Sequence, residues 1–360
     1  MRSWMQIPAL ALAASTATWL LLALLGTRPA SEQSVHELLP QASPLVSVST
    51  VPLQSSMRID RTSQSPKISL HGRNLVLAGD SNDERFFRFF CRRLTGIFDS
   101  IQYISEIVSP LAGEYHGRIR WPGAARIMAC HDSGRNISAI FLFHQGLYSL
   151  PPQPEWYAGF AKRRLQSHYL AVEGKQRIIP TTDQALFIWP QVVRQLLPQR
   201  ENILLFQSSM WDSFAVLEGI TGTRVSQMTE AHEQMTVAAR LSRRNLTDWG
   251  WLDRAAASLS AFRQGFQENG LEVAAVLWRT NANCPQRVSE GSAIAIPLNG
   301  LYAEAVQEAR GRLNITCTAD LLKHFDVQRP DQCDKHHVTT PGHEAYWIAL
   351  SDCVLLPEIT

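Results

Sequence analysis

The chain has 360 residues, of which 45% are hydrophobic and 18% charged, and its formal net charge is +2. This near-neutral balance shows no polybasic surface, so nucleic acid is excluded as an expected partner. The apolar content is ample for the core of one large domain.

The first feature along the chain is an uncharged apolar segment, Ile7 to Gly26, with Arg2 before it and Arg28 after it. At about 1.5 Å per residue, the segment is about 30 Å long as a helix, which matches a hydrocarbon core. We predict a transmembrane signal anchor within residues 1–30 and a single-pass type II membrane protein, its remainder in the lumen of the Golgi or secretory pathway. The alternative is a cleaved signal peptide and a secreted protein.

Residues 31–67 are rich in Ser, Pro and Gln, which predicts a disordered stem. Apolar runs and amphipathic stretches then alternate through residues 68–360. Continuous apolar runs indicate strands covered on both faces, hence a parallel sheet in an α/β, three-layer α/β/α domain with ligands at the carboxyl ends of its strands. The predicted strands are Leu75–Ala78, Ser138–Phe143, Asn202–Phe206, Val273–Trp278 and Leu313–Thr318. The predicted helices are Asp83–Leu94, Gln184–Leu197, Val225–Ser242, Asp253–Phe266, Tyr302–Arg312 and one starting near Gly342.

Two segments fit the alternation poorly, Glu114–Asp132 and Ser149–Pro180, and we expect them to be insertions around the site. Six cysteines make an even set suited to disulfides, and Cys91 with Cys130 is the one pairing that we predict. The glycosylation sequons begin at Asn136, Asn245 and Asn314, the last expected on or near a buried strand.

The sequence Gly79-Asp80-Ser81 stands where an apolar run changes into a helical pattern. A serine there is exposed at the end of a strand, with helix amides beneath it, which suits a nucleophile. The alternative is that Ser81 is only the N-cap of the helix, with Asp83 and Glu84 in its first turn.

Near the end of the chain, Asp334 and His337 place an acid and a base three residues apart, ahead of the final helix. With Ser81 they complete a Ser/His/Asp set. The alternatives are an exposed polar loop, or a metal site drawing on Cys333, His336 and His343. That order matches no common zinc spacing, so we expect no metal and no cofactor.

These residues resemble the SGNH/GDSL hydrolase superfamily, and within it the PC-esterase and trichome-birefringence-like branch of Golgi polysaccharide O-acetyltransferases and esterases. The resemblance rests on residues 77–85 with Cys91, on residues 206–212, on residues 276–280, and on residues 334–343. Asn82 stands in place of the leucine that gives GDSL enzymes their name. The resemblance implies a flavodoxin-like SGNH domain and a serine-dependent O-acyl esterase or transferase, with O-acetyl as the expected acyl group. The implied partners are an acylated carbohydrate, or an acyl donor and a glycan acceptor.

In the implied mechanism His337 removes the proton from Ser81 as it attacks an ester, and Asp334 orients the imidazole. The expected oxyanion donors are the N–H groups of Ser81 and Gly146 and the side-chain amide of Gln207. The alternative for Gly146 is an ordinary turn glycine, and the alternative for Gln207 is a solvent-facing strand end. The expected substrate-binding residues are Arg85, Arg279 and Trp211, and a structural ion pair is the alternative for Arg279.

Two other function classes stay open from the residues. One is a lipid or small-ester hydrolase of the same fold, whose acyl groove would come from residues 149–180. The other is a non-catalytic binding domain, for which the sequence around Gln207 and Ser209 is the argument, because it lacks the Asn and Gly of the family block.

Overall fold

The computed structural model describes residues 67–96, 101–111, 113–121, 127–144, 146–147, 170–177, 179–208, 211–212, 250–281, 292–325, 330–334 and 337–356. The predicted membrane anchor, nearly all of the predicted stem and the predicted helix Val225–Ser242 lie outside these ranges. Within them, no helix combines the length and the apolar character needed to cross a membrane.

The strands, in chain order, are β1 Ile68–Ser69, β2 Asn74–Gly79, β3 Gln102–Ile104, β4 Glu106–Ser109, β5 Gly117–Arg120, β6 Ile127–Asp132, β7 Ile137–Phe143, β8 Leu170–Val172, β9 Lys175–Arg177, β10 Asn202–Phe206, β11 Val273–Arg279, β12 Cys317–Ala319, β13 Cys333–Asp334, β14 His337–Val338 and β15 Val354–Leu355. The α-helices are α1 Ser81–Thr95, α2 Thr181–Asp183, α3 Trp189–Leu196, α4 Trp251–Glu268, α5 Ser292–Glu308, α6 Arg310–Leu313 and α7 Thr340–Ser351. A π-helical turn, Gln184–Ile188, joins α2 to α3.

The central sheet has seven strands in the order β12-β11-β10-β2-β7-β6-β3. The strands from β12 to β7 are parallel, and every residue of β2, β7 and β10 is buried, as their continuous apolar runs predict. The α/β class is therefore confirmed, with a mostly parallel sheet.

The expectation of an entirely parallel sheet is wrong at one edge, where β6 and β3 pair antiparallel. A short turn links β6 to β7, and a short connection allows only antiparallel pairing. The segment Glu114–Asp132 is thus not simply an insertion, because its second half supplies β6. Its first half supplies β5, which joins β4 and residues 170–177 in a separate antiparallel sheet of the order β4-β5-β8-β9.

The predicted strand Leu313–Thr318 is also wrong in its first half. Leu313 ends α6, and Asn314 follows with a φ of 50°, the left-handed conformation in which Asn commonly ends a helix. Strand β12 starts only at Cys317. Asn314 is consequently exposed instead of lying on a buried strand, and Asn136 is exposed in the turn between β6 and β7.

The predicted disulfide between Cys91 and Cys130 is confirmed, and it joins α1 to β6. A second disulfide links Cys317 in β12 to Cys353, just after α7. Cys333 is disulfide-bonded as well. A thiolate of Cys333 is therefore not available to a metal, which removes one member of the alternative metal site.

Candidate functional site

Ser81 lies at the carboxyl end of β2, in the middle of the parallel strands. β2 ends at Gly79, and α1 begins at Ser81. From β2 the chain reaches β7 on one side and later β10 on the other, so the direction of the connections reverses here. Such a reversal opens a crevice at the strand ends, which is where open α/β sheets bind ligands.

The residues around Ser81 explain the Gly-Asp-Ser sequence physically. Asp80 is the N-cap of α1: its Oδ1 accepts a hydrogen bond from the N–H of Asn82 at 2.8 Å, and its own N–H donates to Asp83 Oδ2 at 3.0 Å. This reciprocal pair is a capping box. Gly79 makes room for it, because a Cβ there would collide with the Asp83 carboxyl group.

The alternative of Ser81 as the N-cap is therefore wrong. Asp80 fills that position, and Ser81 is the first helical residue, partly exposed. The first N–H of a helix has no intrahelical acceptor. Ser81 lines the cavity beside the start of α1, and its roles as nucleophile and oxyanion donor stay predictions.

A buried ion pair lies behind Ser81. The Nη2 of Arg279, at the end of β11, donates to Asp83 Oδ2 at 2.7 Å, and Tyr346 from α7 donates its hydroxyl to Asp83 Oδ1 at 2.5 Å. Both charged side chains are 1% exposed. The expectation that Arg279 binds substrate is corrected, since its guanidinium is enclosed and paired, and the structural ion pair describes it.

Gln207 follows β10 and is joined to the same network. Its Nε2 donates to Asp80 Oδ2 at 2.6 Å, and the residue is 2% exposed, so it is not a solvent-facing strand end. Burial and the nearby Asp83 carboxylate raise the pKa of Asp80 to about 6. The amide of Gln207 thus stabilises Asp80, the N-cap of α1, which we call the serine helix because it begins at Ser81. The part of Gln207 in an oxyanion hole stays a prediction.

We expect Gln207→Ala to lower the free energy of unfolding by about 1–3 kcal/mol, because it leaves a buried carboxylate oxygen without its donor. Chemical denaturation followed by tryptophan fluorescence measures this loss. Gln264→Ala is the control, because the Gln264 amide bonds Glu268 on the exposed face of α4. Equal stability losses in the two variants would contradict the structural role. A fall in kcat of about 10²-fold at constant KM would add the oxyanion role.

Gly146 and Trp211 lie at neighbouring strand ends around two buried titratable residues. Gly146 has a φ of 90°, and its N–H donates to His144 Nδ1 at 3.3 Å. A Cβ on Gly146 would meet the carboxyl group of Asp212. Gly146 is thus a turn glycine whose N–H bonds a histidine, and its expected oxyanion role stays a prediction. Trp211 is partly buried against the core.

His144 and Asp212 are fully satisfied inside the fold. His144 Nε2 donates to the carbonyl of Gln207 at 2.7 Å, and burial lowers the pKa of His144 to about 4, so it is neutral. Asp212 accepts from Ser208, Leu147 and Trp251, and burial raises its pKa. These bonds hold the loops after β7 and β10 together.

The second predicted segment lies against the serine helix. β13 and β14 form an antiparallel pair in which Asp334 is directly opposite His337. The N–H of Val338, the residue after His337, donates to Asn82 Oδ1 at 3.1 Å. Asn82 is the residue after Ser81, so one hydrogen bond, from a backbone N–H to a side-chain oxygen, joins the two predicted catalytic segments.

A cavity of about 850 Å³ opens beside Ser81. Val338 and Phe89 are the only apolar residues among the described ones that line it. The full set is Ser81, Glu84, Arg85, Arg88, Phe89, Arg92, Val338, Thr339, Thr340 and His343. Of the predicted substrate-binding residues, Arg85 lies here, whereas Arg279 and Trp211 are not among the lining residues.

His343 forms part of the cavity wall and was considered in the sequence only as a metal ligand. It is 7% exposed and contacts the rings of Phe86 and Phe89. Its Nε2 is buried without a hydrogen-bond partner in the described structure. Burial, followed by the charge of Arg85, lowers the pKa of His343 to about 4, so the ring is neutral at physiological pH.

Sequence reasoning missed Asp83, Asn82 and Tyr346 as residues that build the site. Asp83 carried a usable signal, because an acidic residue three positions after Asp80 fits a capping box. Tyr346 and Asn82 carried none, since their partners come from more than 250 positions away in the chain.

No protein-family model matches the chain, and no curated protein matches it.

Proposed function

We propose that the chain is a serine-dependent O-acyl esterase or transferase of SGNH type, acting on a glycan, with a three-layer α/β/α SGNH-like domain. Ser81, His337 and Asp334 are its catalytic residues. The observation that carries the proposal is the hydrogen bond from the Val338 N–H to Asn82, because it brings the segment of His337 to the residue after Ser81 at the mouth of the cavity.

The reaction is a double displacement. Ser81 Oγ attacks the ester carbonyl carbon while His337 accepts its proton, and the Ser81 N–H donates to the developing oxyanion. The alkoxide leaves with the proton from His337, giving an acyl-enzyme. Water or a sugar hydroxyl, deprotonated by His337, then takes the acyl group, and the serine regains its proton. The acceptor decides between esterase and transferase.

The cavity wall favours a carbohydrate over a lipid. Arginine, threonine, glutamate and histidine side chains suit hydroxyl and charged groups, and among the described lining residues only Phe89 and Val338 are apolar. The runner-up is a lipid or small-ester hydrolase of the same fold. Its acyl groove was expected from residues 149–180, of which residues 149–169 and 178 lie outside the described part of the chain.

A fluorophosphonate probe tests the proposal directly. Wild-type protein is expected to be labelled, and Ser81→Ala is not. Labelling that survives in Ser81→Ala, or is absent from folded wild-type protein, would remove the serine enzyme and leave the non-catalytic binding domain. Acetylated and free oligosaccharides, incubated with the protein and an acetyl donor, then separate esterase from transferase.

We also propose that the chain is anchored in a secretory membrane with residues 68–360 in the lumen. Alkaline carbonate is expected to leave the expressed protein in the membrane pellet, and peptide N-glycosidase is expected to increase its mobility, because Asn136 and Asn314 are exposed. Protein in the supernatant would indicate a cleaved signal instead. If peptide N-glycosidase leaves the mobility of wild-type protein unchanged, and Asn136→Gln migrates like wild type, the lumenal location would be contradicted.

A further inference from the structure

The cavity beside Ser81 has one strongly basic wall. Arg85, Arg88 and Arg92 are spaced three and four residues apart on α1, so they lie on one face of the helix. Glu84 is the single acidic residue among the described residues that line the cavity. Positive charge therefore exceeds negative charge on this wall.

Glu84 does not cancel the charge of all three arginines. Its carboxylate pairs with Arg88 at 2.5 Å, one helical turn away. Arg85 is exposed and forms no ion pair within the described residues. A concave surface of one charge concentrates the electrostatic field and attracts counter-charged ligands. The wall thus favours a ligand that carries negative charge.

His343 gives a second and independent indication of a ligand. A buried polar atom without a partner costs free energy, and native proteins leave few of them. His343 lines the cavity, and its buried Nε2 has no hydrogen-bond partner among the described residues. A neutral imidazole offers a hydrogen bond to a ligand hydroxyl or acid group without adding a charge that repels it from the arginines.

The remaining lining residues suit a sugar. Thr340 supplies a hydroxyl group, whereas the Thr339 hydroxyl donates to the Asp331 carbonyl and offers a ligand only an acceptor. Phe89 supplies a partly buried ring, a surface that suits the face of a sugar. The cavity volume of about 850 Å³ lies within the range of small-molecule sites and holds more than one sugar unit.

We propose that this cavity binds an anionic glycan, in which a carboxylate or sulfate group pairs with Arg85 and Arg92 while the sugar presents its acyl ester to Ser81. Planar guanidinium groups bind both kinds of acid group with paired hydrogen bonds. The assignment of the bound glycan as the substrate rests on the proposed function, whereas the binding itself does not.

The test measures binding to the full-length, detergent-solubilised Ser81→Ala variant, so that turnover does not interfere. The probes are a heparin hexasaccharide, which is sulfated, an oligogalacturonate hexamer, which carries carboxylates only, and neutral xylohexaose. At least one acidic probe is expected to bind about 10-fold or more tightly than xylohexaose, and the preference between the two identifies the acid group.

Arginine variants locate the binding. Arg85→Gln and Arg92→Gln are each expected to weaken binding of the acidic probe about 10-fold, whereas Arg194→Gln, an exposed arginine on α3 outside the cavity, keeps the wild-type affinity. His343→Phe keeps an aromatic ring and is expected to weaken binding severalfold. Melting curves establish that each variant is folded.

Equal affinity for acidic and neutral probes, or equal effects of the Arg194 and Arg85 substitutions, would overturn the inference. Fluorophosphonate labelling of wild-type protein distinguishes a failure of this inference from a failure of the proposed function. Labelling without a preference for acidic probes overturns the anionic glycan alone. Binding that depends on Arg85 and Arg92 without labelling overturns the serine enzyme and leaves the glycan site standing.

Discussion

Ser81→Ala and His337→Ala are each expected to lower kcat on an acetylated oligosaccharide by at least about 10³-fold, because the first removes the proposed nucleophile and the second its proposed base. Ser81 is partly exposed at the cavity mouth, and its side chain supports no part of the buried network. The free energy of unfolding is therefore expected to change by less than about 1 kcal/mol in Ser81→Ala. Release of acetate by the purified variants measures the first effect, and thermal melting measures the second.

Matched substitutions away from the cavity serve as controls. Ser351→Ala, at the end of α7, and His116→Ala, on the exposed surface, are expected to keep wild-type kcat. Residual activity above a few per cent in purified Ser81→Ala or His337→Ala would reject the catalytic set. A loss of activity confined to Ser81→Ala would keep the nucleophile and require a base other than His337, for which His343 is the nearest candidate in the cavity wall.

Arg279→Met is expected to destabilise the fold by about 3–5 kcal/mol, or to prevent folding altogether. The change leaves the buried Asp83 carboxylate next to Asp80 without its cation, and an uncompensated buried charge is costly. Urea denaturation followed by tryptophan fluorescence gives the loss in unfolding free energy. Adding Asp83→Asn to Arg279→Met is expected to recover part of it, because the remaining buried charge is removed.

Arg120→Met supplies the comparison. Arg120 pairs with Glu106 on the protein surface at a distance of 2.5 Å, and exposed ion pairs contribute about 0–1 kcal/mol. A loss in Arg279→Met no larger than that in Arg120→Met would show that the enclosed pair is not what stabilises the serine helix. Failure of Asp83→Asn to improve folded yield or stability would point to the lost packing of the arginine instead.

The sequence alone predicted the parallel strands well. The runs in β2, β7, β10 and β11 are continuously apolar because both of their faces are covered, and this pattern is written in consecutive residues. The start of α1 near Gly79-Asp80-Ser81 was also predictable, because the residues that cap a helix lie within one turn of each other in the sequence. The antiparallel edge was not predicted, because the buried residues of β6 are as apolar as those of the parallel strands, and apolarity carries no information on strand direction.

The roles of the site residues were decided by contacts between distant segments. Gly-Asp-Ser marks a nucleophile position in the sequence, but only the packing of β11 and α7 against α1 shows that Arg279 and Tyr346 hold Asp83 beneath it. The hydrogen bond between Asn82 and Val338 likewise spans 256 positions, and the basic face of α1 borders a cavity because residues of α7 line its other side. Local patterns encode strands, helices and caps, because these form between residues close in sequence. Partners far apart in sequence meet only when the chain folds, so their burial and pairing followed from the tertiary structure.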